Sequence, residues 1–270
     1  MKVCFIGGGN MARALIIGLL QKSWAAASIS VVEPDADKRA SLAAEFGVQG
    51  SGQLPSAAQA DVVVLAVKPQ QLRDVAIFLG SLLDRQLVVS IAAGVRCADL
   101  IRWMGNYGAV VRVMPNTPAQ VQAGISGLYA AEGVSAEQQK QAETVMGAVG
   151  ATLWLEREEQ LDAVTALSGS GPAYVFYFLE AMQQAGVELG LAPGQARELA
   201  LQTFLGAAKL AAASEHDFAT LRAQVTSKGG TTEQALLAME NAQVKAAITR
   251  AIHAAAQRSR ELGDLLGKDK

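Results

Sequence analysis

The chain has 270 residues, with 23 Lys and Arg against 25 Asp and Glu, a formal net charge of −2 and 51% hydrophobic residues. That length suits about two domains of roughly 100–200 residues each, with apolar content for a large core. The near-neutral balance has no Lys/Arg stripe for nucleic acid, and no apolar run reaches the roughly 18–20 residues that a bilayer span requires.

The sequence opens on a strand-like KVCFIG with no signal-peptide pattern ahead of it, so a cytoplasmic protein is expected. Cys4 and Cys97 form no CxxC and read as buried thiols of a reducing compartment. His216 and His253 stand far apart with no ligand-type residues at metal spacing, so no metal site is expected.

KVCFIG, SISVVE, DVVVLAV, LVVSIAA and AVVRVMP are short, β-branched and continuously apolar. Strands read this way when helices cover both faces of a parallel sheet. Helical patterns alternate with them at 11–21, 37–46, 71–82 and 97–104. GISGLYAAEG, the polar helix SAEQQKQAETVMGAVG and ATLWLE complete this part at the sheet edge. Alternation of this kind predicts an open, doubly wound sheet.

Beyond Glu156 the strand signal stops. Nearly everything from Gln160 to Leu266 reads as helix, broken at SGSGP, GLAPG, near SEHD and at SKGG. Residues 1–158 are therefore expected to form an α/β domain and 159–270 an all-α domain, with the GKDK tail frayed. Pro172 suits a first helical turn, with Ser170 as its cap. Helices such as LALQTFLGAAKLAAA are apolar on more than one face, which predicts at least a homodimer through residues 160–266.

The first strand runs into Gly7-Gly8-Gly9-Asn10-Met11-Ala12, a GxGxxA between strand and helix. Gly7 permits the tight turn, Gly9 lets a pyrophosphate approach the backbone, and Ala12 lets the helix sit close to the strand. The amides at the helix start and the helix dipole hold the anion. Residues 1–158 thus read as a Rossmann-type dinucleotide domain. Glu33 ends the second strand, 21 residues after Ala12, where an acid accepts hydrogen bonds from the adenosine ribose and repels a 2′-phosphate. Lys38 and Arg39 follow and could reach such a phosphate or simply face solvent, so NADPH and NADH both remain open.

Further segments follow the strand ends in order: Ala66-Val67-Lys68-Pro69, Ser90-Ile91-Ala92-Ala93-Gly94-Val95 and Arg112-Val113-Met114-Pro115-Asn116-Thr117-Pro118. Ser168-Gly169-Ser170-Gly171-Pro172-Ala173-Tyr174 opens the helical part, and Thr226-Ser227-Lys228-Gly229-Gly230-Thr231-Thr232 lies near its end. With GGGNMA, this ordered set resembles the pyrroline-5-carboxylate reductase family over the whole chain. The resemblance implies NAD(P)H-dependent hydride transfer to the C=N bond of 1-pyrroline-5-carboxylate, giving L-proline. It implies cofactor contacts at Ile6, Gly7, Gly9, Asn10, Met11 and Glu33, and on the nicotinamide side at Ala66, Val67, Lys68, Pro69, Ala92, Gly94 and Asn116. It places the imino acid on Thr117, Ser227, Gly229, Gly230, Thr231 and Thr232. Lys228 departs from the family's frequent proline there, and Glu33 from its frequent neutral residue; the resemblance slightly favours NADPH, whereas Glu33 argues for NADH.

Thr231 and Gln234 have capping-box spacing, and amides at Gly230, Thr231 and Thr232 would face a substrate carboxylate. The Thr232 hydroxyl would reach the ring nitrogen as the catalytic group. A β-hydroxyacid dehydrogenase shares the two-domain plan but often carries a lysine acid on the long interdomain helix, and GPAYVFYFLEAMQQAG has none.

Overall fold

The computed structural model describes residues 1–268; the last two residues of the GKDK tail lie outside the described residues. The chain divides into two compact units, Met1–Ser170 with the chain from Ala255 onward, and Gly171–Ala254. The sequence reading put the change at 158 and assigned the whole C-terminal stretch to the helical part.

The first unit is built on one eight-stranded sheet, ordered β3-β2-β1-β4-β5-β6-β7-β8. Its strands are β1 (Val3–Ile6), β2 (Ile29–Val32), β3 (Gln49–Ser51), β4 (Val62–Leu65), β5 (Leu87–Ser90), β6 (Val110–Met114), β7 (Gly124–Ala130) and β8 (Gly150–Trp154). Neighbours pair in parallel except β6 with β7. The order reverses between β1 and β4, and such a switch point opens a crevice at the strands' carboxyl ends.

The apolar runs become central strands because both faces are covered. β1, β4 and β5 are buried at every position. Val3, Phe5, Val62, Val64, Leu87 and Val89 turn to one face and pack with α1 (Asn10–Gln21) and α5 (Ala136–Met146). Cys4, Ile6, Val63, Leu65 and Val88 turn to the other and pack with α3 (Pro69–Gly80) and α4 (Cys97–Trp103). α2 (Ala36–Phe46) adds Leu42 to the first core. Each fully buried Leu or Val contributes about 1.5–3 kcal/mol relative to exposure. β3 was not anticipated: Gln-Gly-Ser has no apolar pattern, and it pairs only with β2 at the sheet edge.

After α6 (Gln160–Val164) a π-type turn occupies Thr165–Gly169. Ser170 is helical, and its N–H donates to Thr165 O at 2.9 Å. It therefore does not cap the next helix as expected. The wide turn carries the backbone on, so no extended cap residue arises before Pro172.

The second unit holds α7 (Gly171–Glu188), α8 (Pro193–Ala212), α9 (Phe218–Gln224), α10 (Thr231–Asn241) and the start of α11 (Val244–Leu266). α7 packs on α8. Phe176, Tyr177, Leu199 and Leu205 remain exposed on this pair. The last turns of α11 belong to the first unit, where Ser259 Oγ meets Asp162 Oδ1 at 2.5 Å and Arg96 Nη2 meets Asp264 Oδ1 at 2.6 Å.

Candidate active site

β1 passes into α1 through Gly7, Gly8 and Gly9. Gly7 has φ +99°, and a Cβ there would stand 2.8 Å from the Ala66 carbonyl oxygen. Only glycine adopts that backbone at low cost and lets β1 lie so close to the β4 exit. Its N–H donates to Val32 O at 2.8 Å, fixing the turn to β2. Gly9 is the N-cap, extended, with no side-chain cap. Nothing lies within 4 Å of where its Cβ would be. The first α1 bond runs from Arg13 N–H to Gly9 O at 3.0 Å. The amides of Asn10, Met11 and Ala12 are therefore the orphan donors of this helix start. A diphosphate fits here: the α1 start is open, its N-cap makes no side-chain bond, and it is the positive end of a 12-residue helix, with the Gly8 amide taken by Glu33.

A cleft of about 830 Å³ spreads from this turn. Ile6, Gly7, Gly9, Asn10, Glu33, Ala66, Val67 and Lys68 line it, so eight of the expected cofactor residues share one surface. Arg13, Pro34, Lys38 and Gln71 also line it. Sequence reasoning left Arg13 and Gln71 out, though each lies in the first turn of a helix that starts at a strand's carboxyl end. The Arg13 guanidinium pairs with Glu45 and lies 5.2 Å from the Phe46 ring centre. Lys68 is the extended residue before α3, and Pro69 is the first residue of that helix, where a missing N–H costs nothing.

Glu33 is only 9% exposed. Its Oε2 accepts from Gly8 N–H at 3.0 Å and its Oε1 from Asp35 N–H at 3.2 Å. Asp35 caps α2, accepting from the amides of Asp37 at 3.0 Å and Lys38 at 3.1 Å. The Lys38 amide bond is the main reason the Asp35 carboxyl sits below its ordinary pKa. Arg39 donates through Nη1 to the carbonyls of Glu33 at 2.7 Å and Pro34 at 2.8 Å. Its charge is thus spent on the backbone of the β2–α2 turn. Lys38 Nζ stands 3.7 Å from Asp35 Oδ2.

Met11, Pro69, Ala92, Gly94 and Asn116 are not on the cleft wall. Ala92 is buried, and Gly94, at φ +84°, packs under the end of α11, with Leu266 Cδ1 3.0 Å from where its Cβ would be. Asn116 Oδ1 accepts from Ile125 N–H at 3.0 Å, so this side chain shapes the entry to β7. Thr117 begins a short tight turn, Thr117–Val121, with Pro118 second.

In the second unit, α10 begins at Thr231 with Gly230 as N-cap. The expected Thr231–Gln234 capping box does not form. The helix starts one residue earlier than that box requires, and Gln234 N–H bonds to Gly230 O at 3.2 Å. Glu233, the third helical residue, reaches back instead and accepts from Gly229 N–H at 2.7 Å. Gly230 N–H donates to Ser227 O at 3.0 Å, which removes it from the expected anion donors. The Thr231 and Thr232 amides lie in the first turn, before any intrahelical bond.

Fold and cleft together define a doubly wound α/β protein whose glycine-rich turn and crevice suit a dinucleotide. The chain belongs to the pyrroline-5-carboxylate reductase family: it is 49% identical over 269 residues to the pyrroline-5-carboxylate reductase of Pseudomonas aeruginosa, spanning 99% of this chain and 98% of that protein. A family model for pyrroline-5-carboxylate reductase dimerisation matches residues 158–262. One described as NADP oxidoreductase coenzyme F420-dependent matches residues 2–94. The solved pyrroline-5-carboxylate reductase of Coxiella burnetii superposes with a TM-score of 0.92 at 42% identity, covering 97% of this chain and 98% of that one. The Plasmodium falciparum pyrroline carboxylate reductase, solved with NADP bound, does so with a TM-score of 0.88 at 28% identity, covering 97% and 98%.

Proposed function

We propose that the chain reduces the C=N bond of 1-pyrroline-5-carboxylate to L-proline, the final step of proline biosynthesis, with a nicotinamide cofactor as reductant. The observation that carries this reading is the family relation, which runs over 99% of the chain rather than one domain. The cofactor, when bound, supplies a hydride to the imine carbon; the chain supplies orientation and a place for the proton.

The amides of Gly9, Asn10 and Met11 hold the pyrophosphate, with Ile6 and Gly7 setting the turn. Glu33 takes the adenosine ribose. Ala66, Val67, Lys68 and Pro69 border the nicotinamide side, and Ala92, Gly94 and Asn116 support that wall through the backbone and the β7 turn. The substrate carboxylate is held by the Thr231 and Thr232 amides, on a loop shaped by Ser227, Gly229 and Gly230; Thr117, in the first unit, keeps the substrate role that the family relation implies. The Thr232 hydroxyl hydrogen-bonds the ring nitrogen, and the imine is basic enough to be taken up partly protonated.

The adenosine end favours NADH over NADPH. A 2′-phosphate would meet the Glu33 carboxylate, a Pro34 that has no N–H, and α2 amides already capped by Asp35. No helix among the described residues is long and apolar enough to cross a membrane, and both cysteines are free and buried. The free, buried thiols accord with a reducing cytoplasm, and the dimerisation-family match over residues 158–262 supports at least a homodimer through residues 160–266.

The test is oxidation of NADH and of NADPH by the purified protein with 1-pyrroline-5-carboxylate, followed by nicotinamide absorbance. Turnover with a higher kcat/KM for NADH is expected. Cofactor binding without turnover of this imine would overturn the substrate assignment.

A further inference from the structure

The carboxylate of Glu158 stands where three parts of the first unit meet. One oxygen, Oε1, accepts from the Cys97 N–H at 2.7 Å and from Arg112 Nη1 at 2.9 Å. Cys97 is the first residue of α4, and Arg112 is the middle residue of β6. The Arg112 and Glu158 side chains are only 7% and 18% exposed. Arg96, the N-cap of α4, makes no side-chain cap bond, so the remote carboxylate does the capping. An anion at this helix start is favoured by the dipole, and the buried guanidinium is neutralised by the same oxygen.

The two elements that Glu158 joins each begin or end a loop at the carboxyl edge of the sheet. The loop 91–96 leaves β5 and enters α4. The loop that begins at Pro115 leaves β6 just beyond Met114, within three residues of Arg112. These loops carry Ala92, Gly94, Asn116 and Thr117. The first loop is also gripped by the last turns of α11: Gly94 lies against Leu262 and Leu266, and Arg96 pairs with Asp264 at 2.6 Å. The Arg96–Asp264 pair is exposed and weak. The Glu158 contacts are part-buried and meet at one oxygen, so they add to the β5–β6 pairing in setting the loops' mutual position.

We propose that Glu158 is a positioning residue of the reaction: it fixes the loops after β5 and β6, which carry the backbone assigned above to supporting the nicotinamide side, relative to each other. This rests on the functional reading above. Misplacing reacting groups by about 1 Å can cost about 100-fold in rate. Loss of the latch therefore acts on kcat and cofactor affinity together, not on stability alone.

The experiment compares Glu158→Ala and Glu158→Gln in the full-length oligomer. NADH affinity is read by fluorescence, kcat and KM with 1-pyrroline-5-carboxylate by absorbance, and folding by thermal melting. Glutamine keeps an oxygen that accepts from both donors; alanine removes it. Glu158→Ala is expected to bind NADH about tenfold or more weakly and to lose about 10–100-fold in kcat, with Glu158→Gln restoring most of both. Unchanged NADH affinity and kcat in Glu158→Ala, whatever its melting temperature, would overturn the proposal. Equal losses in both variants would support it too, with the carboxylate's charge toward Arg112 and the α4 start holding the latch. If the wild-type chain binds NADH without turning over the imine, the functional reading fails, and the NADH affinities still decide the role of Glu158.

Discussion

The Glu33 carboxylate accepts a hydrogen bond from the N–H of Gly8, at 3.0 Å, inside the glycine-rich turn between β1 and α1. The group proposed to discriminate at the ribose is therefore tied directly to the turn proposed to hold the diphosphate. Glutamine at this position would still accept from Gly8 but would no longer repel a 2′-phosphate. Like charges brought together at a binding site cost several kcal/mol, and each 1.4 kcal/mol is about tenfold. Glu33→Gln is expected to raise the NADPH to NADH ratio of kcat/KM by at least about tenfold. An unchanged ratio in steady-state assays would show that Glu33 does not set cofactor choice.

Gly7 has no room for a side chain and a backbone that other residues avoid. Gly7→Ala strains φ and pushes the β1 exit away from Ala66. Strain of this kind costs about 1–3 kcal/mol. Lower stability in urea melts and loss of detectable NADH binding are expected together. A variant that binds NADH as the parent does would mean that the turn tolerates a Cβ and the close approach is not required.

Much of the first unit was legible in the sequence because its signals are local. GGGNMA, the apolar strand runs and the helices between them each state their structure within a few residues. β3 was not legible, since three small or polar residues paired on one side carry no pattern. The break between α10 and α11 was also missed: Gln243 takes φ +54° without a glycine or proline to announce it. Around Thr231, capping-box spacing suggested the right helix with the wrong cap, because Gly230 and Glu233 satisfied the helix start first. The Glu158 latch joins residues 61 and 46 positions apart, which no local pattern can report. Arg13 and Gln71 reach the cleft only once strand order has brought two helix starts side by side.

Thr232 is exposed on the first turn of α10, so its side chain has little structural work to do in this unit. An exposed replacement of this kind changes stability by about 0.5 kcal/mol or less. A single hydrogen bond to the ring nitrogen is worth about 0.5–1.5 kcal/mol. Thr232→Ala should then keep its melting temperature and lose up to about tenfold in kcat/KM, with Thr232→Ser restoring it. Wild-type kcat/KM in the alanine variant would remove Thr232 from the reaction.

Burial pushes the thiol pKa of Cys97 up, and the nearby Glu158 charge adds to the rise; Cys4 is raised by burial as well. A group whose folded pKa lies above its unfolded value, about 8.5 for a thiol, stabilises the fold fully below that value. The contribution is lost as pH climbs, because the unfolded chain releases protons that the folded chain keeps. Unfolding free energy should fall by about 2 kcal/mol for Cys97 between pH 8 and about pH 10. Urea titrations across that range check this, and Cys97→Ala should flatten the slope. A slope that is the same in Cys97→Ala would assign it to other groups.

Phe176 and Tyr177 on α7 are 65% and 73% exposed, an unusual state for adjacent aromatic residues. A two-fold interface uses each patch twice, so one substitution counts on both sides. Burying a phenylalanine contributes about 1.5–3 kcal/mol, and placing a carboxylate there adds the cost of an unpaired buried charge. Phe176→Glu is expected to weaken self-association by at least about a hundredfold. Helical content by circular dichroism should stay unchanged, because the side chain is already outside its own unit's core. Light scattering across micromolar concentrations distinguishes the outcomes. A parent oligomer that dissociates in the variant places α7 in the interface, whereas a variant that keeps the parent's mass leaves the contact to other faces of residues 160–266.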